Sequence, residues 1–196
     1  MSKTLKLAAL YPDHLNLNGD MANLLVLQKR LQWQGEAAEI VSLTSSSNLS
    51  DFDFVLAGHG SNAAWADIKR IDPDFLKNVL KFIESGKSAL VIASAYDQLA
   101  EGVLGGKKRI GSHRSEFVRT AEGIVGYVNT DSNEEVLQWH KNSLFTLLHG
   151  PVFVKNPELA DEFILKSGLV KEIQPNKRSI EIDELARASR KIAFEN

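Results

Sequence analysis

The sequence predicts an α/β fold in which helices flank a mostly parallel sheet. Two observations lead to this prediction. Short apolar runs alternate along the first half of the chain with segments whose apolar residues recur at helical spacing, which is typical of β-α-β units. Segments rich in Gly, Pro, Asn or Ser separate many of these runs, and such segments interrupt regular structure.

The first half contains four candidate strands and two candidate helices. The strands are short and mostly apolar, which is expected of strands that are buried on both faces. They comprise Thr4–Leu10, Glu36–Leu43, Asp53–Ala57 and Ser88–Ala93. The helices comprise Met21–Gln34 and Asp74–Ser85. Asp20 is in position to cap the first helix, and a glycine follows each of them.

The second half differs because it includes a predicted hairpin. Its strands are Glu116–Arg119 and Gly123–Val128, and a further strand is predicted over Ser143–Leu148. Pro157–Ser167 and the amphipathic segment Ile180–Phe194 are predicted helices. No internal repeat or linker interrupts these elements, so we expect residues 1–196 to form a single domain.

Composition excludes several classes of function. The chain has 23 Lys and Arg against 25 Asp and Glu, a net charge of −2, which argues against a mainly electrostatic nucleic-acid binder. It contains no Cys, which excludes disulfides, thiolate metal sites and a cysteine nucleophile. No apolar run approaches the roughly 20 residues of a membrane span, and the N-terminus lacks a signal-peptide pattern. We expect a cytoplasmic protein with no metal site and no cofactor.

Four loops are expected to meet at one edge of the sheet. In open α/β sheets, ligands bind beyond the carboxyl ends of the strands. The loops that follow predicted strands there are Tyr11–Asn23, Gly58–Ser61, Ala93–Tyr96 and His149–Pro151. The candidate functional residues therefore come from these loops.

The turn after the fourth strand is the most informative of these loops. A nucleophile on a sharp strand-to-helix turn is exposed above the sheet, and small neighbours relieve the crowding. Ala93, Ser94 and Ala95 have the required size, but Ala93 has no reactive atom. Ser94 is either a nucleophile, if a base reaches it, or a helix cap. His149 is either a general base or a structural histidine.

Three segments resemble one known family. They are Leu10–Asp20 with Asn23, then Leu147–Pro157 with Ala160 and Asp161, and, more weakly, Ile124–Asn129. In these segments the chain resembles the class I glutamine amidotransferases of the cobyric-acid-synthase-like group, in particular the glutaminase subunits of lipid II isoglutaminyl synthase complexes. The resemblance implies a flavodoxin-like three-layer sandwich. It also implies a heterodimer with a Mur-ligase-like partner, which uses ammonia from glutamine to amidate the peptidoglycan precursor.

The resemblance also assigns roles to residues. In the family a cysteine attacks the glutamine carboxamide, a histidine relays the proton, and backbone N–H groups hold the oxyanion. His149 falls on the family's histidine, and Arg109 on an arginine that holds the substrate glutamine. Gly58 and Gly60 fall in the Gly-rich oxyanion loop.

The main departure from the family pattern lies at the nucleophile. The ungapped match puts Ala93 on the cysteine and Ser94 on the following glycine, whereas a shift of one residue puts Ser94 on the cysteine. Ala93 is either an engineered replacement or a natural loss. The altered neighbours Ser94, Ala95 and Gly58–Trp65 favour natural loss, because one engineered change does not produce them.

Three hypotheses follow from these residues. The chain is a catalytically inactive amidotransferase subunit, a scaffold that has lost glutamine binding, or a different hydrolase that uses Ser94 and His149.

Overall fold

The computed structural model describes residues 3–104 and 110–195. Its strands are β1 (Leu5–Leu10), β2 (Ala38–Leu43), β3 (Phe54–Ala57), β4 (Ser88–Ile92), β5 (Ile110–Arg119), β6 (Val125–Ser132), β7 (Leu137–His140) and β8 (Ser143–Thr146). Its helices are α1 (Ala22–Trp33), α2 (Asn62–Ile71), α3 (Phe75–Glu84), α4 (Ser94–Leu104), α5 (Val152–Lys155), α6 (Pro157–Lys166) and α7 (Lys177–Glu195). A short 3₁₀ turn covers Leu49–Asp51.

The central sheet has the strand order β2-β1-β3-β4-β8-β7. Its pairs are parallel except for the edge strand β7, which runs antiparallel to β8. All residues of β3, β4 and β8 are buried, because helices cover both faces of a parallel sheet. The predicted α/β fold, with a mostly parallel sheet flanked by helices, is therefore confirmed.

A separate antiparallel hairpin stands beside this sheet. It consists of β5 and β6 and contains the two predicted hairpin strands. A single bridge between Val128 and Leu148 and a 2.8 Å hydrogen bond from the His149 N–H to the Tyr127 carbonyl attach it to the segment after β8. The hairpin thus lies over the carboxyl end of the sheet, where the candidate site was expected.

Three elements were not predicted from the sequence. They are the ten-residue helix α2, the four-residue helix α5 and the four-residue strand β7, which is only half-buried. The Ser61 hydroxyl caps α2 by accepting from the Ala64 N–H at 3.2 Å. Besides the Ser61 cap, Trp65 and Ile68 lie three positions apart and form the buried face of α2, but the preceding Gly58–Gly60 segment indicated a loop and the helix was missed.

The last helix, α7, turns a charged residue toward the protein and apolar residues toward the solvent, the reverse of what an amphipathic helix predicts. Asp183 faces the body of the protein, whereas Ile182 and Leu185 are 47% and 70% exposed. The helix is attached by polar contacts, since Asp183 pairs with buried Arg30 of α1 and Arg190 pairs with Glu158 of α6. None of the described helices combines the length and the apolarity that crossing a bilayer requires.

Candidate functional site

The loops at the carboxyl ends of β3, β4 and β8 line one polar cavity of about 410 Å³, with the hairpin closing its other side. The residues around it are His59, Gly60, Ser61, Asn62, Ala93, Ser94, Asp97, His113, Asn129, Thr130, Asp131 and His149. The structure therefore brings together four of the six residues expected from the sequence: Gly60, Ala93, Ser94 and His149. Gly58 is not among the residues that line the cavity, and Arg109 lies outside the described residues.

Ala93 occupies a strained turn between the last residue of β4 and the first residue of α4. Its φ of 48° lies in the left-handed region, which costs a residue with a side chain about 1–2 kcal/mol. Its N–H donates to the Thr146 carbonyl at 2.7 Å, and its carbonyl accepts from the Asp97 N–H at 3.1 Å. This sharp strand-to-helix turn has the geometry of a nucleophile elbow. The elbow carries a methyl group, which cannot attack an amide.

Ser94 joins the elbow to the loop after β3. Its hydroxyl accepts from the Gly60 N–H at 2.9 Å and from the Trp65 indole N–H at 2.8 Å, and it donates to the Gly60 carbonyl at 3.0 Å. A hydroxyl has one donor and two acceptor positions, so these contacts occupy all of them. The geometry does not support Ser94 as a nucleophile activated by His149.

His59 occupies the backbone N–H of Ser94, the residue that follows position 93 on the elbow. Its Nδ1 accepts from the Ser94 N–H at 3.3 Å, and its ring meets that of His149 edge-on with centroids 4.5 Å apart. Burial, together with the neighbouring His149, lowers the pKa of His59 to about 4. His59 is therefore neutral near pH 7 and can act as an acceptor.

His149 has both ring nitrogens in hydrogen bonds. Nδ1 accepts from the Asn18 side-chain amide at 2.7 Å, and the Nε2–H donates to the Asn129 carbonyl at 3.2 Å. The neutral tautomer protonated at Nε2 satisfies both contacts. Burial also lowers the pKa of His149, which keeps the ring neutral. In this arrangement neither nitrogen is available to take a proton from position 93.

Asp20 and Asn23 support the site, and their roles were not predicted. Asp20 does not cap α1; its buried carboxylate accepts from the His59 N–H at 3.0 Å. Asn23 donates to the Gly150 carbonyl at 3.3 Å and accepts from the Phe153 N–H at 2.9 Å. These contacts connect the start of α1 to the loops that carry His59 and His149. In the sequence, Asp20 and Asn23 belong to the segment that resembles the family, but no local pattern identified their partners.

Asp20→Asn is expected to change how stability depends on pH. Burial raises the pKa of Asp20 from its ordinary 3.8 to about 6, so the folded protein holds this proton more tightly than the unfolded chain. The contribution of the neutral acid to stability is full below pH 4 and is lost as the pH rises through 6. Relative to wild type, the variant should gain about 2 kcal/mol of unfolding free energy between pH 4 and pH 7.5. Urea denaturation at both pH values measures this difference, and a constant difference would contradict the assignment.

Gly58 and Gly60 allow the β1–α1 loop to approach the β3 loop closely. A Cβ at Gly58 would lie 2.1 Å from the Leu15 carbonyl oxygen, and one at Gly60 would lie 2.7 Å from the His14 carbonyl oxygen. These glycines therefore have a packing role. The ligand-binding role expected of Gly58 remains a prediction.

Gly58→Ala should destabilise the protein by about 2–3 kcal/mol, because the contact is with rigid backbone. Gly168→Ala is the matched control. Its φ is +69° and a Cβ there meets no atom within 4 Å, so its cost should be about 1 kcal/mol. Urea titrations of both variants test this, and equal losses would show that the close approach at Gly58 relaxes freely.

The described residues contain no group of three His, Cys, Asp or Glu side chains arranged to hold a metal ion. The cavity lining offers the neutral imidazoles of His59 and His149, a third imidazole from His113, amides, hydroxyls and the carboxylates of Asp97 and Asp131.

Comparison with known proteins connects this fold to amidotransferases. No protein-family model matches the chain. The "Lipid II isoglutaminyl synthase (glutamine-hydrolyzing) subunit GatD" of Staphylococcus aureus (strain N315) is 23% identical over 197 aligned positions, covering 79% of this chain and 81% of that protein.

Among solved structures, one with a TM-score of 0.50 shares this architecture. A glutamine amidotransferase from Thermotoga maritima matches with a TM-score of 0.50 and 13% identity, covering 97% of this chain and 94% of that one. A putative protease I from Bacteroides thetaiotaomicron matches with a TM-score of 0.48 and 12% identity, covering 83% and 99%. The chain thus has a glutamine amidotransferase-like, flavodoxin-like fold.

Proposed function

We propose, from the amidotransferase-like fold of this chain and its sequence similarity to a lipid II isoglutaminyl synthase subunit, that it is a glutamine amidotransferase-type subunit without glutaminase activity of its own. The observation that carries this proposal is Ala93. It retains the strained elbow conformation at φ 48° while lacking a nucleophile. Loss of a nucleophile removes about six orders of magnitude in rate, so binding becomes the remaining function of the site.

The surroundings of Ala93 support natural loss over a single engineered change. Two neighbouring residues, His59 and Ser94, occupy the backbone donors that an oxyanion would need. These contacts hold the loop after β3 against the elbow, and one substitution at position 93 would not create them. We therefore propose that the whole site has diverged from catalysis.

The proposed partner is a Mur-ligase-like protein that amidates a peptidoglycan precursor in the cytoplasm. The related chain from Staphylococcus aureus is named as one subunit of a glutamine-hydrolysing synthase, which supports a heterodimer. We propose glutamine as the ligand of the cavity in this subunit. The alternative function is a scaffold that no longer binds glutamine, and the hydrogen bonding of both His149 nitrogens favours it.

Two measurements test this proposal. The purified chain should release no ammonia from glutamine, and it should form a stable heterodimer with a Mur-ligase-like protein of its own organism in sedimentation velocity. Ammonia release at the rate of a cysteine-containing amidotransferase would overturn the loss of activity. If no Mur-ligase-like protein of that organism binds the chain, the proposed partner is wrong. Isothermal titration calorimetry with glutamine then distinguishes the two functions. An amidotransferase-type subunit should bind glutamine, whereas a scaffold should show no binding.

A further inference from the structure

A second cavity, of about 290 Å³, lies between α3 and the segment that connects β2 to β3. Its lining includes Lys87, which precedes β4, whereas Ala93 follows β4, so the two sites lie at opposite ends of that strand. Two lysines, Lys81 and Lys87, line this cavity, and among the described residues no carboxylate does. The charges of the lining therefore favour an anion.

Lys87 is held in place without being neutralised. Its ammonium group donates to the Ser50 carbonyl and, at 2.7 Å, to the Phe52 carbonyl. An ammonium has three donors, so one remains, and neutral carbonyls leave its charge intact. Within residues 3–104 and 110–195, no carboxylate forms an ion pair with Lys87. Because these contacts already fix the side chain, Lys87 loses little freedom when it binds an anion.

Carboxylates on the neighbouring segments have other partners. Asp53 bonds Lys3 at 2.6 Å. Asp72 accepts from the Tyr11 hydroxyl at 2.9 Å and from the Ser46 N–H at 2.8 Å. In the part of the chain that the structure describes, the lysines of this cavity are therefore left without a counter-ion.

Serine hydroxyls supply uncharged donors beside the lysines. The Ser46 hydroxyl accepts from the Asn78 side-chain amide at 3.0 Å, and the Ser47 hydroxyl accepts from the Ser45 hydroxyl at 3.0 Å. Among the described residues, nothing accepts the protons of these two hydroxyls, although Ser46 is only 1% exposed. Both residues line the cavity, and a hydroxyl proton rotates to suit an acceptor. Two ammonium groups and two hydroxyls suit the several acceptor oxygens of a phosphate group.

The rest of the wall is apolar. Leu49 and Phe82 line the cavity and belong to the buried core. The Lys87 Nζ atom lies 5.6 Å from the centre of the Phe82 ring, so the positive charge and the apolar wall are adjacent. A ligand that joins a phosphate group to a small apolar body matches both.

We propose that this cavity binds a small phosphomonoester. Its phosphate oxygens accept from the ammonium groups of Lys81 and Lys87 and from the serine hydroxyls, and its organic part packs against Phe82. The site does not depend on the proposed function.

Three probes test the ligand chemistry. The full chain, in a buffer without phosphate or sulfate, is titrated with phenyl phosphate, inorganic phosphate and phenol in a calorimeter. Phenyl phosphate should bind about fivefold more tightly than inorganic phosphate, because its ring leaves water, and phenol should show no binding. In ¹⁵N spectra, phenyl phosphate should move the backbone amide resonances of Ser46 and Ser47 and leave that of His149 unmoved.

A pair of lysine variants on α3 tests the location. Lys81→Gln should weaken phenyl phosphate binding about tenfold, the loss expected of one hydrogen bond from a charged group. Lys77→Gln removes the same charge one turn earlier, outside the lining, where the side chain is 79% exposed and pairs with Asp74, and should change binding less than twofold. Lys81 is also exposed, so neither variant should alter thermal unfolding.

Four outcomes would overturn the proposal. Inorganic phosphate or phenol binding as tightly as phenyl phosphate would show that the ligand is not a phosphomonoester. Equal losses of binding in Lys81→Gln and Lys77→Gln would show that only net charge matters. Unmoved Ser46 and Ser47 resonances at saturating phenyl phosphate would place any binding elsewhere.

Discussion

Ala93→Cys is expected to place a thiol on the elbow without producing glutaminase activity. The Gly60 N–H donates to the Ser94 hydroxyl, and the Ser94 N–H donates to His59, so neither is free for an oxyanion. His149 cannot activate the thiol while Asn18 and Asn129 hold both of its nitrogens. Ammonia release should therefore stay near that of the wild-type chain, about six orders of magnitude below an intact cysteine site.

Alkylation of the new thiol provides a readout besides activity. The chain has no other cysteine, so iodoacetamide reports on position 93 alone. The thiol pKa seen in the pH dependence of alkylation should be set by the N-terminus of α4, which lowers it, and by burial, which raises it, and should be unchanged when His149 is replaced by Ala. A thiol pKa that rises in the His149→Ala background, or ammonia release by Ala93→Cys, would show that His149 is free to act.

Removing the Ser94 and His59 side chains, which occupy the N–H groups of residues 60 and 94, should increase the glutaminase activity of Ala93→Cys. The triple variant Ala93→Cys, Ser94→Gly, His59→Gly frees the N–H groups of residues 60 and 94 for an oxyanion. Loss of one such donor typically costs 10²–10³ in rate, so the triple variant should exceed the single variant by about 100-fold or more. Equal ammonia release by the two variants would locate the block elsewhere in the cavity.

Arg30→Met is expected to destabilise the protein by about 3–5 kcal/mol. Arg30 is 3% exposed and bonds Asp161 of α6 and Asp183 of α7. Burial raises the pKa of Asp161 even though Arg30 opposes this change, which shows how costly its charge is in this position. Without Arg30, two partly buried carboxylates would face each other, and α7 would lose its main attachment to α1. Urea denaturation measures the loss.

An exposed ion pair provides the control for Arg30. Arg70 pairs with Asp67 at 2.5 Å on the surface of α2, with its own side chain 73% exposed, so Arg70→Met should cost less than about 1 kcal/mol. Changing Arg30, Asp161 and Asp183 together to Met, Leu and Leu should recover most of the stability, because it removes every unpaired charge. Equal losses in Arg30→Met and Arg70→Met would contradict the assigned role of the buried network.

The sequence predicted the strands of the parallel sheet and the position of Ala93 on a strand-to-helix turn. Both depend on local patterns, since the apolar run of β4 and the small residues after it are adjacent in the chain. It did not predict α2, whose start follows a glycine-rich segment, or the role of Asp20, whose partner His59 lies 39 residues away. Asp residues often cap helices, so the sequence predicted that Asp20 caps α1. That prediction is wrong, because the Asp20 carboxylate accepts from His59 instead.

By itself the sequence determined the fold class, the edge of the sheet where the site lies and the absence of a cysteine nucleophile. Hydrophobic periodicity and residue identity specify these properties, and both are local. Only the tertiary structure decided that Ser94 and His59 occupy the N–H groups of Gly60 and Ser94 and that α7 turns Asp183 inward. The Ser94–His59 and Arg30–Asp183 contacts join residues 35 and 153 positions apart. Such contacts depend on how separate elements pack, which periodicity along the chain does not encode.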